Sequence, residues 1–269
     1  MSVVILLSCM NQSDSSIIER SNIQTDVLII NQCDNDEIKE FSFINKYNVK
    51  CKAKIVSTRA RGLSNSRNMA LDFSWGDYCV FCDDDEYFVD GYEQVIEEQF
   101  SNHPDFDLIS FKLVYDRKQF KENEFKYNRF SITSVSSAQV VFNRAKVLST
   151  GVKFDPLLGS GSGNGGGEES KFLFQLACKG LKGIYVPLLL ARVNSNSKSL
   201  WFEGYTDQYI INMGWSYRRI YGTLYAYPLI CYHAYRHRNE YNRTFTVIIK
   251  LLLKGFFENR EITKNTTLI

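Results

Sequence analysis

Four consecutive acidic residues, 83–86, directly follow the apolar run YCVFC at 78–82. The run predicts a buried strand that delivers Asp83, Asp84 and Asp85 to its carboxyl end. Adjacent carboxylates repel one another at neutral pH unless water or a cation stabilises them. Oxygen ligands suit Mn2+ or Mg2+, and Mg2+ is commonly held by one or two carboxylates together with substrate phosphates. The segment therefore predicts a metal-bound diphosphate site, and a solvated acidic turn is the alternative.

A second acidic pair, Glu168 and Glu169, begins a helix-like segment after the glycine-rich stretch GSGSGNGGG at 159–167. A carboxylate placed there can act as a general base and take the proton of an attacking hydroxyl group. The alternative is electrostatic, because acids in a first helical turn complement the helix dipole. The glycine stretch satisfies G-x-G-x-x-G but lacks the later acid of a dinucleotide site and any Gly-Lys-Ser/Thr, so a loop that closes over substrate fits better.

The stretch RGLSNSRNMAL at 61–71 precedes Gly-Asp-Tyr, the apolar run and D-x-D. This order resembles the donor-binding half of the GT-A glycosyltransferases, in particular the large inverting family called family 2, over about residues 1–200. A helix N-terminus and a guanidinium group both favour a phosphate. The resemblance implies four donor-binding residues at the start of a helix: Gly62, Ser64, Arg67 and Asn68.

The resemblance also assigns the two acidic segments. It implies that Asp85 contacts the metal ion, that Asp83 lies at the donor ribose or in the metal shell, and that Asp84 lies beside the donor. In family members the second acid of the later pair is the usual catalytic base. Here that residue is Glu169, with Glu168 next to it in the catalytic site.

The first two predicted strands complete the donor site that the resemblance implies. The first ends near Ser8, and the second ends at Asn31 and Gln32, where family members commonly carry two acids that contact the nucleobase. Because this chain has amides there, Asp34 is the predicted substitute. Ser8, Asn31 and Asp34 are therefore expected to bind the donor.

The activity that the resemblance implies is inverting, metal-dependent glycosyl transfer with Mn2+ or Mg2+. The donor would be a nucleotide-diphosphate sugar, in this family often a UDP-sugar. The acceptor would be a glycan or lipid-linked hydroxyl in bacterial surface-polysaccharide synthesis. Two alternatives stay open: a haloacid-dehalogenase-type phosphohydrolase, which also places D-x-D after a strand, and a non-catalytic nucleotide-sugar-binding or membrane-scaffold protein.

Alternating segments predict how these residues are positioned. Strand-like runs lie at 2–8, 26–31, 54–57, 78–82, 107–113 and 138–143, and helix-like segments lie at 64–73, 91–100 and 168–179. Such alternation predicts an α/β domain over residues 1–200 whose ligands bind at the carboxyl ends of the strands. The resemblance implies a GT-A, Rossmann-like, mixed and mostly parallel sheet flanked by helices.

Residues 201–269 predict a helical extension that is aromatic and basic. Between positions 209 and 264 the sequence has nine Lys or Arg and three acids, and Lys250 and Lys254 share one face of a helix-like run. Such a tail can contact an anionic membrane surface through residues 209–264. The alternative is a helix packed on the catalytic domain with its lysines in solvent.

Composition excludes several classes. The 269 residues are 44% hydrophobic and 23% charged, which is typical of a globular protein, and a net charge of +2 gives no electrostatic case for a nucleic-acid partner. No run approaches the ~20 apolar residues of a membrane-spanning helix, and the short apolar start lacks the basic residues of a secretory signal. With seven Cys and no disulfide-like density, the sequence predicts a cytoplasmic protein. The resemblance, through its lipid-linked acceptor, implies a peripheral position on the inner face of the plasma membrane.

Three further features have an ordinary interpretation. Cys79 and Cys82 have the spacing of a zinc half-site, but residues three apart in a strand face opposite sides. The pair at 233 and 237 has helix-face spacing for a metal, yet the Glu of H-E-x-x-H is missing. Trp201 and Phe202 are candidates for stacking on an acceptor sugar or for the core.

Overall fold

The computed structural model describes residues 1–114, 119–194 and 204–260. The strands in these ranges are β1 (Val3–Met10), β2 (Asp26–Gln32), β3 (Glu37–Ile44), β4 (Lys50–Thr58), β5 (Tyr78–Asp83), β6 (Glu86–Phe88), β7 (Leu108–Val114), β8 (Phe125–Lys126), β9 (Val140–Asn143) and β10 (Gly183–Val193). The α-helices are α1 (Ile17–Arg20), α2 (Leu63–Phe73), α3 (Tyr92–Asn102), α4 (Arg144–Ser149), α5 (Glu168–Cys178), α6 (Asp207–Arg236) and α7 (Phe245–Phe257).

The strands form one mixed sheet in the order β3-β4-β2-β1-β5-β9-β7-β10-β6, with β8 paired to β10. Strands β1, β2, β4, β5, β7 and β10 run in the same direction, and the other four described strands run against them. The prediction of an α/β, mostly parallel sheet flanked by helices is confirmed. Because β1 pairs with both β2 and β5, Ser8 lies opposite Ile30 on one side and Asp83 on the other.

Continuous apolar strands bury both faces of this sheet, which is why they lack polar alternation. One face packs against α1 and α3, and the other packs against α2 and α5. Cys82 belongs to the first of these cores and Cys79 to the second, as the alternation of a strand requires. The two thiols therefore do not form a zinc half-site, and all seven cysteines are unpaired.

The extension consists of α6 and α7, which pack closely on each other. Gly214 of α6 faces the backbone of Leu252, and Gly255 of α7 faces the backbone of Ile211, so neither position has room for a side chain. Within α6 the helical backbone is interrupted at Gly222 (φ 74°). Among the described residues, no helix is long and apolar enough to span a membrane.

The structure shows what residues 245–257 pack against, and contact of residues 209–264 with a membrane surface stays a prediction. The buried face of α7 rests on α6, whereas Lys250 and Lys254 are exposed to solvent. The helix partner is therefore the extension's own α6 and not the sheet domain. Trp201 and Phe202 lie outside the described residues.

We expect Gly214→Ala to lower the free energy of unfolding by at least about 3 kcal/mol, since the new methyl group would overlap the carbonyl of Leu252. In an unconstrained helix the same change would stabilise by about 1 kcal/mol. Urea unfolding monitored by circular dichroism measures the difference, and Thr223→Ala on the exposed surface of α6 is the control. An unchanged or more stable Gly214→Ala protein would show that the two helices are not in this contact.

Candidate active site

The acidic segment lies at the carboxyl edge of the sheet, as predicted. Asp83 ends β5, Asp84 and Asp85 form the turn, and Glu86 begins β6. A backbone hydrogen bond from another strand holds this turn. The N–H of Asn194, just after β10, donates to the carbonyl of Asp85 (2.8 Å). The end of β5, the turn and the start of β6 therefore carry four consecutive carboxyl groups at this edge of the sheet.

Burial and mutual repulsion raise the pKa values of three of these carboxyl groups. Burial and the charge of Asp83 raise the pKa of Asp84 and of Asp85. Burial, followed by the charges of Asp83 and Asp85, holds the pKa of Glu86 well above its usual range. Glu86 is also buried, and its Oε2 has no hydrogen-bond partner among the described residues.

A buried arginine connects this row to the second acidic pair. Arg67, on α2, is 1% exposed. Its Nη2 donates to Asp83 Oδ2 (3.2 Å), and its Nη1 donates to Glu169 Oε1 (2.9 Å) and lies 3.4 Å from Glu168 Oε1. The rings of Phe81 and Phe154 lie beneath the guanidinium group. One cation thus holds carboxylates from β5 and from the first turn of α5 together.

The two acids at the start of α5 differ in protonation because they share this single cation. Burial and the charge of Glu169 raise the pKa of Glu168 to about 8. Burial would also raise the pKa of Glu169, but Arg67 and hydrogen bonds from the backbone and side chains outweigh it and lower that pKa. Near neutral pH the pair therefore holds a protonated Glu168, 6% exposed in its side chain, beside an ionised Glu169, 24% exposed.

The start of α2 is fastened to the glycine-rich stretch. Gly62 precedes the helix with φ 101°, a conformation that favours glycine, and its N–H donates to Gln32 Oε1 (2.8 Å). The Leu63 N–H donates to the carbonyl of Ser160 (3.0 Å), and the Ser64 hydroxyl donates to the carbonyl of Leu158 (2.7 Å). These bonds hold the N-terminus of α2 beside the loop that leads into the acidic pair.

The ends of β1 and β2 contribute polar groups that are already hydrogen-bonded. The Ser66 hydroxyl donates to Ser8 Oγ (2.8 Å), which ties α2 to β1. The Asn31 side chain accepts from the Gln12 N–H and donates to the Gln12 carbonyl, both at 2.9 Å. Asn31 therefore fixes the loop after β1, and its contact with a donor stays a prediction.

Asn68 and Asp34 stand apart from the carboxylate centre. The amide of Asn68 pairs with the Phe154 backbone in both directions, donating to its carbonyl (2.9 Å) and accepting from its N–H (2.7 Å). Asp34 is 97% exposed in its side chain and forms an ion pair with Arg61 (2.7 Å). The structure thus brings Arg67, Asp83 and both glutamates together, with Asp34 at the rim and Asn68 supporting the loop.

Four residues that support this region had no role predicted from the sequence. Gln32 caps the start of α2, as described above. The buried Asp155 is held by Lys171 of α5 and by Arg219 of α6 (Arg219 Nη2 to Oδ1, 2.9 Å). The position of Asp155 just before the glycine-rich stretch is the only signal for it, and nothing in the sequence pairs it with residue 219.

The residues present fit a divalent cation. Among the described residues, no group of three or more His, Cys, Asp or Glu side chains is arranged to hold a metal ion by itself. A site that shares its ion with a diphosphate needs only one or two carboxylates. The raised pKa values of Asp84 and Asp85 reflect a repulsion that a cation would relieve. Arg67 pairs with Asp83 and not with Asp85, so among the described residues the carboxyl group of Asp85 is the one of the two that Arg67 does not hold.

Comparison with known proteins defines the class. The profile of glycosyl transferase family 2 matches residues 7–145, more than half of the chain. The chain therefore belongs to this family, and its fold is GT-A. No curated protein sequence matches the chain.

Solved structures of S. aureus TarS share the fold. The crystal structure of TarS 1–349 superposes with a TM-score of 0.59 at 12% identity and covers 98% of both chains. The same fragment in complex with UDP-GlcNAc gives 0.59 at 15% identity, covering 89% of this chain and 73% of that one. Its complex with UDP gives 0.58 at 14% identity, covering 89% and 72%. At these identities the similarity concerns the fold alone.

We expect Arg67→Gln to lower the free energy of unfolding by about 3–5 kcal/mol, because it leaves buried carboxylates without their shared cation. Denaturant unfolding at pH 7 measures the loss. Arg59→Gln is the control, since Arg59 pairs with Asp36 in solvent and its loss should change little. Equal effects of the two substitutions would contradict the central role of Arg67.

The raised pKa of Glu168 predicts a pH-dependent stability difference between the wild type and Glu168→Gln. The folded state keeps the Glu168 proton up to about pH 8, whereas the unfolded chain releases it near its ordinary value of 4.5. Between these values the folded state binds more protons, so the contribution of Glu168 to stability falls as pH rises. The wild type should therefore lose stability relative to Glu168→Gln from pH 5 to pH 8. A pH-independent difference in urea unfolding would contradict the assignment.

Proposed function

We propose that this chain is an inverting, metal-dependent glycosyltransferase that transfers a sugar from a UDP-sugar to a hydroxyl group of a glycan or lipid-linked acceptor. The observation that carries the proposal is the Arg67 cluster, in which one buried cation joins the D-x-D acid Asp83 to the pair Glu168 and Glu169. A glycosyl transfer needs groups that stabilise the departing diphosphate and a group that takes the proton of the acceptor. In this cluster, Asp83 would lie at the diphosphate and the glutamate pair at the acceptor. UDP as the carrier is supported by TarS, which shares the fold and whose structures include UDP-GlcNAc and UDP complexes.

The donor end would be formed by the carboxyl edge of the sheet. Asp85 and Asp83 would hold Mn2+ or Mg2+, and the N-terminus of α2 at Gly62 and Ser64 would face the phosphates. When bound, the cation neutralises the charge that develops on the departing diphosphate. Ser8, Asn31 and Asp34 would border the nucleoside, with Asn31 acting through the loop that it holds.

The acceptor end would use Glu169 as the general base. An ionised carboxylate is required to accept a proton, and Glu169 is the ionised member of the pair. Its partner Glu168 keeps its proton near neutral pH, so the pair carries one negative charge and not two. The protonated Glu168 can donate a hydrogen bond, and its Oε2 has no partner among the described residues. Attack by the deprotonating hydroxyl from the face opposite the diphosphate inverts the anomeric carbon.

The type of acceptor determines where in the cell the reaction would take place. A lipid-linked acceptor in surface-polysaccharide synthesis would place the enzyme at the inner face of the plasma membrane as a peripheral protein. Family membership favours glycosyl transfer over the phosphohydrolase alternative. A nucleotide-sugar-binding protein without turnover is the remaining alternative, and the experiment below distinguishes it.

We expect Glu169→Gln to lower kcat for UDP-sugar transfer or hydrolysis by about 10^2–10^4-fold with UDP binding retained, because the amide cannot take up the proton but can still accept the hydrogen bond from Arg67. Asp85→Ala should instead weaken Mn2+-dependent UDP binding, measured by calorimetry, together with turnover. A panel of UDP-sugars with Mn2+, ranked first by thermal shift, identifies the donor for these assays.

The matched controls are Glu98→Gln and Asp105→Ala, which remove exposed acids far from the cluster. Undiminished transfer by both Glu169→Gln and Asp85→Ala would reject the mechanism. UDP binding without turnover of any donor by the wild type would identify a binding protein instead.

A further inference from the structure

The second half of α6 exposes an unusually apolar and aromatic face. Leu224 is 78% exposed, Tyr232 63% and Tyr235 61%. Tyr227 and Cys231 are exposed beside them, one turn apart. At 3.6 residues per turn these positions cover about half of the helix circumference, and the opposite half is buried against the rest of the extension. Isolated exposed hydrophobic residues are normal, but a contiguous row on one helix marks an interaction surface.

The charges around this face are mainly positive. Residues 223–239 contain no acid. In the part of the chain that the structure describes, Arg236 and Lys254 form no ion pair, whereas Arg243 and Arg260 of the same extension are paired with acids. Arg238 stacks on the Tyr235 ring at 4.4 Å from its centroid and is also unpaired with any described acid. The three cations have one described acid near them: a hydrogen bond with His237 and, more weakly, the charge of Arg236 lower the pKa of Glu240. Arg238 and Lys254 border the aromatic row without a described carboxylate paired to them.

The surface continues onto α7. The Tyr227 ring lies 4.6 Å from that of Phe256, which in turn lies 5.0 Å from the ring of Phe257. Phe257 is 64% exposed and follows Lys254 by one helical turn. The exposed face of α6 from 224 to 235, together with Phe257 and the three cations, is called the aromatic–basic face below.

We propose that the aromatic–basic face docks on an anionic lipid surface. Tyr side chains place an apolar ring in the interface and a hydroxyl group in water, and unpaired Arg and Lys attract anionic headgroups. A second copy of the chain is a poorer occupant. A twofold interface through this face would bring three cations from each of two chains together, with only Glu240 of each chain nearby to balance them. The proposal concerns attachment and does not depend on the reaction proposed above.

Flotation of the full chain with vesicles tests the proposal. We expect binding to phosphatidylcholine vesicles that contain about one third phosphatidylglycerol, weaker binding to pure phosphatidylcholine, and a decline as NaCl rises from about 0.1 to about 0.5 M. Arg236→Gln/Lys254→Gln should weaken binding about thirty-fold. Tyr232→Ser/Tyr235→Ser should weaken it by at least about tenfold, because two rings no longer enter the interface.

Matched controls remove similar side chains elsewhere on the surface. Lys146→Gln/Lys179→Gln removes two exposed cations, and Tyr47→Ser/Val49→Ser removes two side chains that are 52% and 54% exposed. Both should bind vesicles like the wild type. If each control lost as much vesicle binding as its matched variant, binding would not depend on this face, and the proposal would be overturned.

Two other results would also overturn it. The first is failure of the wild type to float with anionic vesicles although a thermal-shift assay shows that it binds UDP with Mn2+. Such binding would show that the protein is folded. The second is a dimer in sedimentation experiments without lipid that Tyr232→Ser/Tyr235→Ser converts to a monomer, which would assign the face to self-association. Vesicle binding by a wild type that binds no nucleotide would leave this inference intact while removing the proposed function.

Discussion

The rest of the site depends on one buried guanidinium group. Arg67 is surrounded by protein, so the cost of removing its charge from water has to be offset by partners, and Asp83, Glu168 and Glu169 supply them. The consequence is geometric as well as energetic. The end of β5 and the first turn of α5 are separated by more than eighty residues of sequence, yet one planar group with fixed donor positions sets their spacing.

The same arginine also divides the charge of the glutamate pair unequally. A second cation would allow both acids to ionise, and its absence among the described neighbours leaves Glu168 protonated next to an ionised Glu169. Two carboxyl groups of identical type thereby acquire different chemistry from their surroundings alone. This division agrees with the proposed role of Glu169 and gives Glu168 a donor hydrogen that an ionised residue would lack.

The sequence predicted the elements whose signals are local. The runs at 2–8, 26–31 and 78–82 became β1, β2 and β5 with small changes at their ends, and the segment at 168–179 became α5. Strand β10 was missed because Pro187 interrupts its apolar run, and the structure accommodates this with shifts of register beyond Tyr185. Strand β3 was missed because, as an exposed edge strand, it carries charged residues and no buried pattern.

For the site, the sequence located the carboxylates but not what holds them. Acids after an apolar run, or at a helix start, can be recognised from order alone. Burial of Arg67 could not be predicted from its type, because arginine is rarely fully buried. The same holds for Gln32 at the start of α2 and for Asp155 with Arg219, since each contact joins segments that are distant in sequence. Pairing of this kind is a property of the assembled sheet.

The kink at Gly222 divides α6 into two parts whose side chains pack against partly different partners. Before it, Arg219 binds Asp155 and Ile220 lies against Gly167, so that part of the helix packs on the segment that leads into Glu168 and Glu169. After the kink, the Tyr225 ring still contacts Phe130 and Phe174, whereas Ala226, Ile230 and Ala234 are buried in the core of the extension. The exposed residues 224, 231, 232 and 235 take no part in these buried contacts, so substitutions at those positions leave them in place. The outer surface of this half of the helix can therefore change in evolution while the contacts that hold Asp155 and Gly167 are kept.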